Sequence, residues 1–400
     1  MPVTRSEAAE EAVPSRWDWR RDAGGPLLIY AATRLAQLIV LTWMDPPGGP
    51  SIQSKLLSWD SGWFLDVARN GYPHGYTYDA TGQIIGNGLA FFPVYPLLIR
   101  GGHALGLSYG VAALTISWIA GAAAAVLVYA LMRALVQGGE FGERVRSSAT
   151  VAGYALVVLV CAQPMSVVLS MGYAESLFVA LVAGCLLAAY RRSWIVAGVL
   201  GVAAGLTRPT GAALAIALAV AAAMRIADEN SSLRERITAI CAGVAALASV
   251  PAYIIWVGLR VGEPNAWFVI QTAGWGSTFD FGSSTWTFIR QTLQAGDGWV
   301  AMSVVAILFA AVIALLVALM HRGWLPLFVY GVIAFVLVAG QAGFFHSKPR
   351  LFVPVLLLFV PAALAATRTP PRNAALWLSA YALVGLWYGA YMITVWQYAI

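Results

Sequence analysis

Asp60 stands in the stretch WDSGWFLDVARNGYP, residues 59–73. Read as a helix, this stretch puts Asp60, Trp63, Phe64 and Val67 at i, i+3, i+4 and i+7, on one face. Asp66 and Arg69 fall elsewhere, spaced to pair at i, i+3. A carboxylate on a face that aromatic side chains press toward membrane or protein costs free energy unless it is hydrated, paired or used. Used, it is a proton acceptor. Equally, Asp is a favoured N-cap, and Asp60 has the right place to cap this short helix.

Three further clusters could act with it. Glu175, in GYAESLF (172–178), opens an apolar run. It reads as a site acid or as an acid favoured by the helix dipole. Arg208, in GLTRPTG (205–211), sits at a turn between two short apolar segments. It reads as a bidentate phosphate ligand or as a snorkelling side chain. HSKPR (346–350) brings His346, Lys348 and Arg350 into five residues of a chain with only four histidines. Anionic headgroups would draw such a cluster, and so would a substrate phosphate. A carboxylate facing cations beside lipid suits one reaction. The carboxylate takes a proton from an acceptor hydroxyl, while the cations hold a phosphate leaving group as its charge grows.

The elements that position these residues are membrane helices. The chain has 400 residues, 60% hydrophobic and 10% charged, with mean hydropathy +0.75. A water-soluble domain carries about a quarter charged residues. Apolar runs recur at 25–44, 109–134, 148–163, 175–190, 194–207, 211–226, 237–259, 299–320, 324–344, 351–366 and 374–396. They predict an all-α polytopic membrane protein of about 11 transmembrane helices. The short segments between 163 and 211 predict broken or tilted helices around a cavity. Residues 1–24 form a polar tail, and 25–400 a single membrane domain. Two long aromatic loops, 45–108 and 260–298, lie on one face, the first carrying the catalytic carboxylate and interfacial helices. Cys161, Cys185 and Cys241 all lie in apolar segments and read as small core residues, with no disulfide framework and no metal cluster expected.

Basic residues orient the chain. With residues 1–24 in the cytoplasm, 15 Lys and Arg fall inside and eight outside, with Arg34 in the first span. This bias agrees with the positive-inside rule only if 88–107 does not cross. That stretch is therefore read as re-entrant or interfacial. Arg34, mid-span, must face the bundle and a partner, because an arginine at a helix centre costs about 2.5–3.5 kcal/mol on insertion scales.

At these residues the chain resembles the PIG-V mannosyltransferases. WDSGWFLDVARNGY followed by AFFPVYP (90–96) is similar to their first-loop signature. QPMSVVLSMGYAESLF, WIVAGVLGVAAGLTRPTG and HSKPRLFVP resemble later family segments in the same order, from residue 59 to 353. The resemblance implies a GT-C fold, a polyprenyl-phosphate-mannose donor and inverting transfer to a lipid or glycolipid acceptor. It implies Asp60 as general base. No His, Cys or acid spacing suggests a metal ligand set, and no cofactor or nucleic acid is expected. Arg208, His346, Lys348 and Arg350 would hold the donor phosphate. Trp59, Trp63, Tyr95, Tyr173 and Glu175 would line the substrate site, with Phe64, Phe91 and Phe92 as apolar walls. Gly62 stands where many family members have an acid, and Pro209-Thr210 replaces Ser-Asn. With 22 Arg, two Lys and abundant Ala, a bacterial member acting on a phosphatidylinositol mannoside, lipoglycan or other cell-wall acceptor is expected. The active site is expected on the non-cytoplasmic side of the cell membrane. The rival reading is a lipid or solute transporter or flippase, which broken helices and Arg34 also fit. It lacks the paired halves that transporters usually show.

Overall fold

The computed structural model describes residues 22–400. The expected cytoplasmic arginines Arg5, Arg16, Arg20 and Arg21 lie outside the described residues. The first helix, α1 (Gly24–Met44), is turned toward a greasy solvent. Tyr30, Arg34, Gln37 and Leu41 are buried, while Leu28, Leu35 and Ile39 face outward. The first long loop follows. It holds α2 (Ile52–Leu56), α3 (Asp60–Asn70), a hairpin of β1 (Thr77–Tyr78) and β2 (Ile84–Ile85), a 3-10 turn at Gly88–Ala90, and α4 (Val94–Ala104).

Next come α5 (Tyr109–Gln137) and α6 (Ala149–Cys161), the latter preceded by a 3-10 segment at Glu143–Ser148. A coiled stretch with a 3-10 turn at Ser166–Leu169 leads to α7 (Glu175–Tyr190), α8 (Trp194–Gly205) and α9 (Gly211–Ala227). Helix α10 (Leu233–Val261) opens with a capping box between Ser232 and Glu235. The second long loop holds α11 (Ala266–Trp275) and α12 (Ser283–Ala295). Then follow α13 (Trp299–Met320), α14 (Leu325–Ala339), the short α15 (Lys348–Leu351), α16 (Val360–Arg368) and α17 (Pro371–Thr394).

Each segment expected to cross contains helix, but 351–366 is interrupted at 352–355 and becomes regular only from Val360. Among the described residues six helices are long and apolar enough to span: α1, α5, Glu143–Cys161, α10, α13 and α17. Phe345–Leu351 and Leu356–Arg368 together form a pair bent by 79°. Helices α7, α8, α9 and α14 are apolar but shorter. Helices α8, α9 and α14 each keep an outward apolar face, with Ile195, Val199, Met224 and Val336 exposed. Helix α7 is buried on nearly every side, and α8 meets α10 through a seam of small residues, with Gly198 and Gly201 against Ala242 and Ala246. Such seams let helices approach where no hydrophobic drive separates them from lipid.

The loop 88–107 does not form a spanning helix. Helix α4 has 11 residues, about 16 Å at 1.5 Å per residue, which is half a hydrocarbon core. It buries Tyr95, Pro96 and Ile99 and exposes Leu97 and Leu98, as an interfacial element would.

The first loop carries helices, as expected, and also a small hairpin in which β1 and β2 pair across a turn; two other expectations are corrected. Asp79 builds that turn by accepting from the Thr81 and Gln83 N–H groups and the Thr81 hydroxyl. These hydrogen bonds, the Thr81 hydroxyl's first, lower the Asp79 pKa. Asp66 and Arg69 do not pair. Asp66 accepts from Asn70 at 2.7 Å, and Arg69 lies 5.3 Å over the Tyr109 ring. Cys161 and Cys185 are buried as expected, but Cys241 is exposed on the bundle's flank.

Arg34 finds its partners. It is 1% exposed and donates to the Ser166 carbonyl (2.7 Å), the Ser170 hydroxyl (3.1 Å) and the Cys161 carbonyl. Its guanidinium thus satisfies carbonyls left over where α6 ends, and it fixes the chain that runs on to Glu175. Arg34→Leu is expected to leave those carbonyls bare and to destabilise the purified protein by about 3 kcal/mol, from roughly 1–3 kcal/mol per buried unsatisfied group. Arg34→Lys should lose less. Thermal unfolding in detergent checks both.

Candidate active site

The site forms where four broken or terminating elements meet. Trp59 turns the chain into α3 with φ 52° and ψ −113°. A bulky residue in this region costs about 1–3 kcal/mol. Asp60 is then the first helical residue, not the cap. Its carboxylate bonds no backbone N–H of α3. Instead Oδ2 lies 2.8 Å from Arg350 Nη1. The capping alternative is thereby set aside.

Glu175 is likewise the first residue of α7. Its side chain is almost fully enclosed and meets two guanidinium groups. Arg208 Nη1 lies 2.6 Å from Glu175 Oε1, and Arg350 Nε lies 3.3 Å from the same oxygen. Arg350 therefore bridges Asp60 and Glu175, with its guanidinium 5.1 Å over the Tyr173 ring. The Tyr173 hydroxyl accepts from the Asp60 N–H at 3.4 Å. Arg208 is presented by the break between α8 and α9, where the Thr207 hydroxyl donates to the Ala203 carbonyl (2.6 Å) and closes the end of α8. Neither arginine snorkels. Both point inward, onto carboxylates.

A cavity of about 340 Å³ opens on this network. Asp60, Arg208, Lys348 and Arg350 line it, together with Phe64, Phe91, Phe92, Gln271, Trp275 and Phe344. Three cations face two carboxylates here, which leaves one positive charge over. The Lys348 ammonium also donates to the Val338 carbonyl (2.6 Å) and to that of Gln341. It thereby caps the end of α14.

The structure brings only part of the expected set to the cavity. Asp60, Arg208, Lys348 and Arg350 line it. Glu175 and Tyr173 lie behind its wall, holding the arginines. Tyr95 is removed from substrate contact. It is 0% exposed, and its hydroxyl bonds the Ala113 carbonyl (3.0 Å) and the Ser117 hydroxyl (2.7 Å). His346 packs between Phe344 and Trp396 and does not line the cavity. Trp59 packs on the helical core. Trp63 supports the wall from behind, stacked on Phe91 at 6.1 Å and set edgewise to Trp275 at 5.7 Å. Gln271, Trp275 and Phe344 were not foreseen. Loop length and aromatic content single out the 260–298 loop but not which of its side chains point inward. Among the described residues no group of three or more His, Cys, Asp or Glu could hold a metal ion.

The two long loops are tied together around this cavity. Arg260 donates to the Pro73 and Tyr72 carbonyls, and the Tyr76 hydroxyl donates to Glu263 at 2.7 Å. Desolvation, reinforced by that hydrogen bond to an acid, raises the Tyr76 pKa to about 12.

The chain is similar to known proteins in both sequence and fold. A model described as Mannosyltransferase (PIG-V) matches residues 50–233. No curated protein matches the sequence. The crystal structure of ArnT from Cupriavidus metallidurans bound to undecaprenyl phosphate superposes with a TM-score of 0.51 at 17% identity, over 90% of this chain and 63% of that one. The apo form of that protein gives 0.48 at 17% identity, over 91% and 62%. Archaeal oligosaccharyltransferase AglB from Archaeoglobus fulgidus, in complex with an inhibitory peptide and a dolichol-phosphate, gives 0.43 at 14% identity, over 91% and 55%. The chain thus spans less than two thirds of the length of these structures. Its fold is the GT-C architecture of a polytopic helical membrane protein, and residues 50–233, the stretch that carries Asp60, Glu175 and Arg208, match the mannosyltransferase (PIG-V) family model.

Proposed function

We propose that this chain is a glycosyltransferase that moves mannose, with inversion, from a polyprenyl-phosphate donor to a lipid or glycolipid acceptor on the non-cytoplasmic face. One observation carries this: a carboxylate, Asp60, lines the same cavity as Arg208, Lys348 and Arg350. The surplus of one positive charge there matches the single negative charge of a sugar phosphodiester. The family match over residues 50–233 and the ArnT-like fold support the same class of reaction. ArnT binds undecaprenyl phosphate, a lipid phosphate of the kind the cationic wall would take.

The geometry supports the following mechanism. The donor phosphate lies against Arg208, Arg350 and Lys348. Asp60 Oδ2 is held by Arg350, and Oδ1 takes the proton of the acceptor hydroxyl. The new bond from that oxygen to the anomeric carbon forms as the bond to the phosphate oxygen breaks, on opposite faces of the sugar. The electron pair leaves on the phosphate, whose growing charge the guanidinium groups stabilise. A phosphate leaves without a general acid, so one carboxylate suffices. Glu175 does not touch substrate; it holds both arginines in place. His346 has no part in the phosphate site.

Connectivity supports the placement on the non-cytoplasmic side. Cavity residues come from the segments 60–92, 207–210, 271–277, 341–351 and 399–400. If all eleven apolar segments cross, these all lie on the face opposite residue 22, which the distribution of Lys and Arg makes the non-cytoplasmic one. A phosphatidylinositol mannoside, lipoglycan or related cell-wall glycolipid remains the expected acceptor.

Asp60→Asn is expected to lower transfer by about 10²–10⁴-fold, the range of general-base catalysis, with folding intact by gel filtration. The assay is radiolabelled polyprenyl-phosphate mannose in proteoliposomes with glycolipid acceptor. Normal turnover in that variant excludes Asp60 as the base, and flux of label without bond formation by the wild type makes the protein a transporter. Thr81→Cys, in the hairpin turn, should react with a membrane-impermeant maleimide from outside intact cells. Labelling only after lysis reverses the orientation. Tyr95→Phe should cost about 1–2 kcal/mol of stability through its lost hydrogen bonds, while KM for donor and acceptor stays within twofold.

A further inference from the structure

Trp275 lies in the second long loop, outside the stretch that matches the family, and it lines the same cavity as Asp60. Its indole is held on several sides. Phe91 meets it at 5.3 Å with ring planes 76° apart, and Trp63 at 5.7 Å and 68°. Among the described residues no aromatic ring lies flat on it. Gly86 backs it closely, since a Cβ there would come within 2.9 Å of the six-membered ring and within 2.7 Å of the Gly274 Cα. The indole is therefore fixed before any ligand arrives.

Among the described residues no Lys or Arg lies over the ring, in contrast to Tyr173 beneath Arg350. Gln271, one helical turn before Trp275 on α11, also lines the cavity. Its amide nitrogen is committed to the Ala90 carbonyl at 3.1 Å, which orients the amide and leaves its carbonyl oxygen to accept. An aromatic face with nothing stacked on it attracts the weakly positive C–H faces of a sugar ring through its quadrupole. A fixed amide carbonyl beside it accepts from a ring hydroxyl. Together they recognise a cyclic polyol and offer nothing to a phosphate.

We propose that Trp275 and Gln271 form the acceptor subsite, and that the acceptor presents a hexose or cyclitol ring stacked on Trp275. This rests on the transferase reading above. In-line displacement puts the incoming hydroxyl on the side of the anomeric carbon opposite the phosphate. The phosphate belongs with the cations, so the uncharged aromatic wall belongs to the acceptor. The base is tied to that wall, because α3 carries both Asp60 and, less than a turn later, Trp63 that props Trp275.

The test is binding, independent of turnover. The full chain with Asp60→Asn, in nanodiscs saturated with polyprenyl-phosphate mannose, is probed with methyl α-mannoside and myo-inositol by saturation-transfer NMR. The donor's own sugar then fills the donor position. Transfer to ring C–H protons is expected for both probes. It should fall at least fivefold with Trp275→Ala or Gln271→Leu and be largely kept with Trp275→Phe. Displacement of the probes by donor, signals indifferent to Trp275→Ala, or no signal at all would each overturn the subsite. Wild-type proteoliposomes separate this from the wider reading. If sugar is transferred there while the probes behave in one of those three ways, the transferase stands and only the subsite falls.

Discussion

Glu175 is 1% exposed and is shared by two guanidinium groups, one of which reaches on to Asp60. A lone carboxylate so deep in a helical bundle would cost several kcal/mol, and two lone arginines would cost more. Brought together they hold one another. Removing a single partner from such a set typically costs 3–5 kcal/mol, because the survivors are left buried and unpaired. This mutual dependence ties four distant parts of the chain to one place. The start of α3, the start of α7, the break between α8 and α9, and α15 must all converge before any of these charges is satisfied. The site is thus a folding constraint as well as a chemical one.

The broken helices follow from the same constraint. Glu175 needs a helix start at depth, and Arg208 needs a break. Arg350 needs the bend between Phe345–Leu351 and Leu356–Arg368, which turns by 79°. Continuous spans could not present these side chains to one point. Irregular backbone inside a membrane protein is tolerated only where its polar groups find partners. Arg34 supplies them for the chain after α6, and Lys348 supplies them at the end of α14. Two of the cations picked out by their odd positions in the sequence thus serve the backbone first, and Lys348 serves the cavity as well.

The helical segments were readable from hydropathy alone, because lipid as solvent leaves a strong signal in composition. So were Asp60, Arg208 and Arg350, whose charges stand out against apolar surroundings. The partnership among them was not readable, since residues 60, 175, 208 and 350 are joined by contacts that no local period encodes. Aromatic residues misled more often. Tyr95 and Trp59 belong to motifs that resemble a family's, yet Tyr95 is a core hydrogen-bonding group and Trp59 a strained hinge. A residue in a conserved-looking motif can sit there to hold the loop as well as to meet substrate. His346 fell into the same error, because sequence proximity to Lys348 and Arg350 says nothing about direction on a turn of 3-10 helix.

The family match ends at residue 233, and the cavity does not. Arg350 and Lys348, which add two cations to its lining, and Trp275 and Gln271, which add uncharged surface, all come from the later part of the chain. The earlier part therefore carries Asp60 and Arg208 but cannot close the cavity alone. Arg260 and Tyr76 show how the two parts are joined, by hydrogen bonds from one long loop to the other. Arg260 donates to backbone carbonyls and Tyr76 donates to the Glu263 carboxylate, and a hydrogen bond with one charged partner is worth roughly 1.5–3 kcal/mol. Losing one partner from the buried charge set costs about 3–5 kcal/mol, so the contacts between the two loops are the weaker link and give way before the charged floor does.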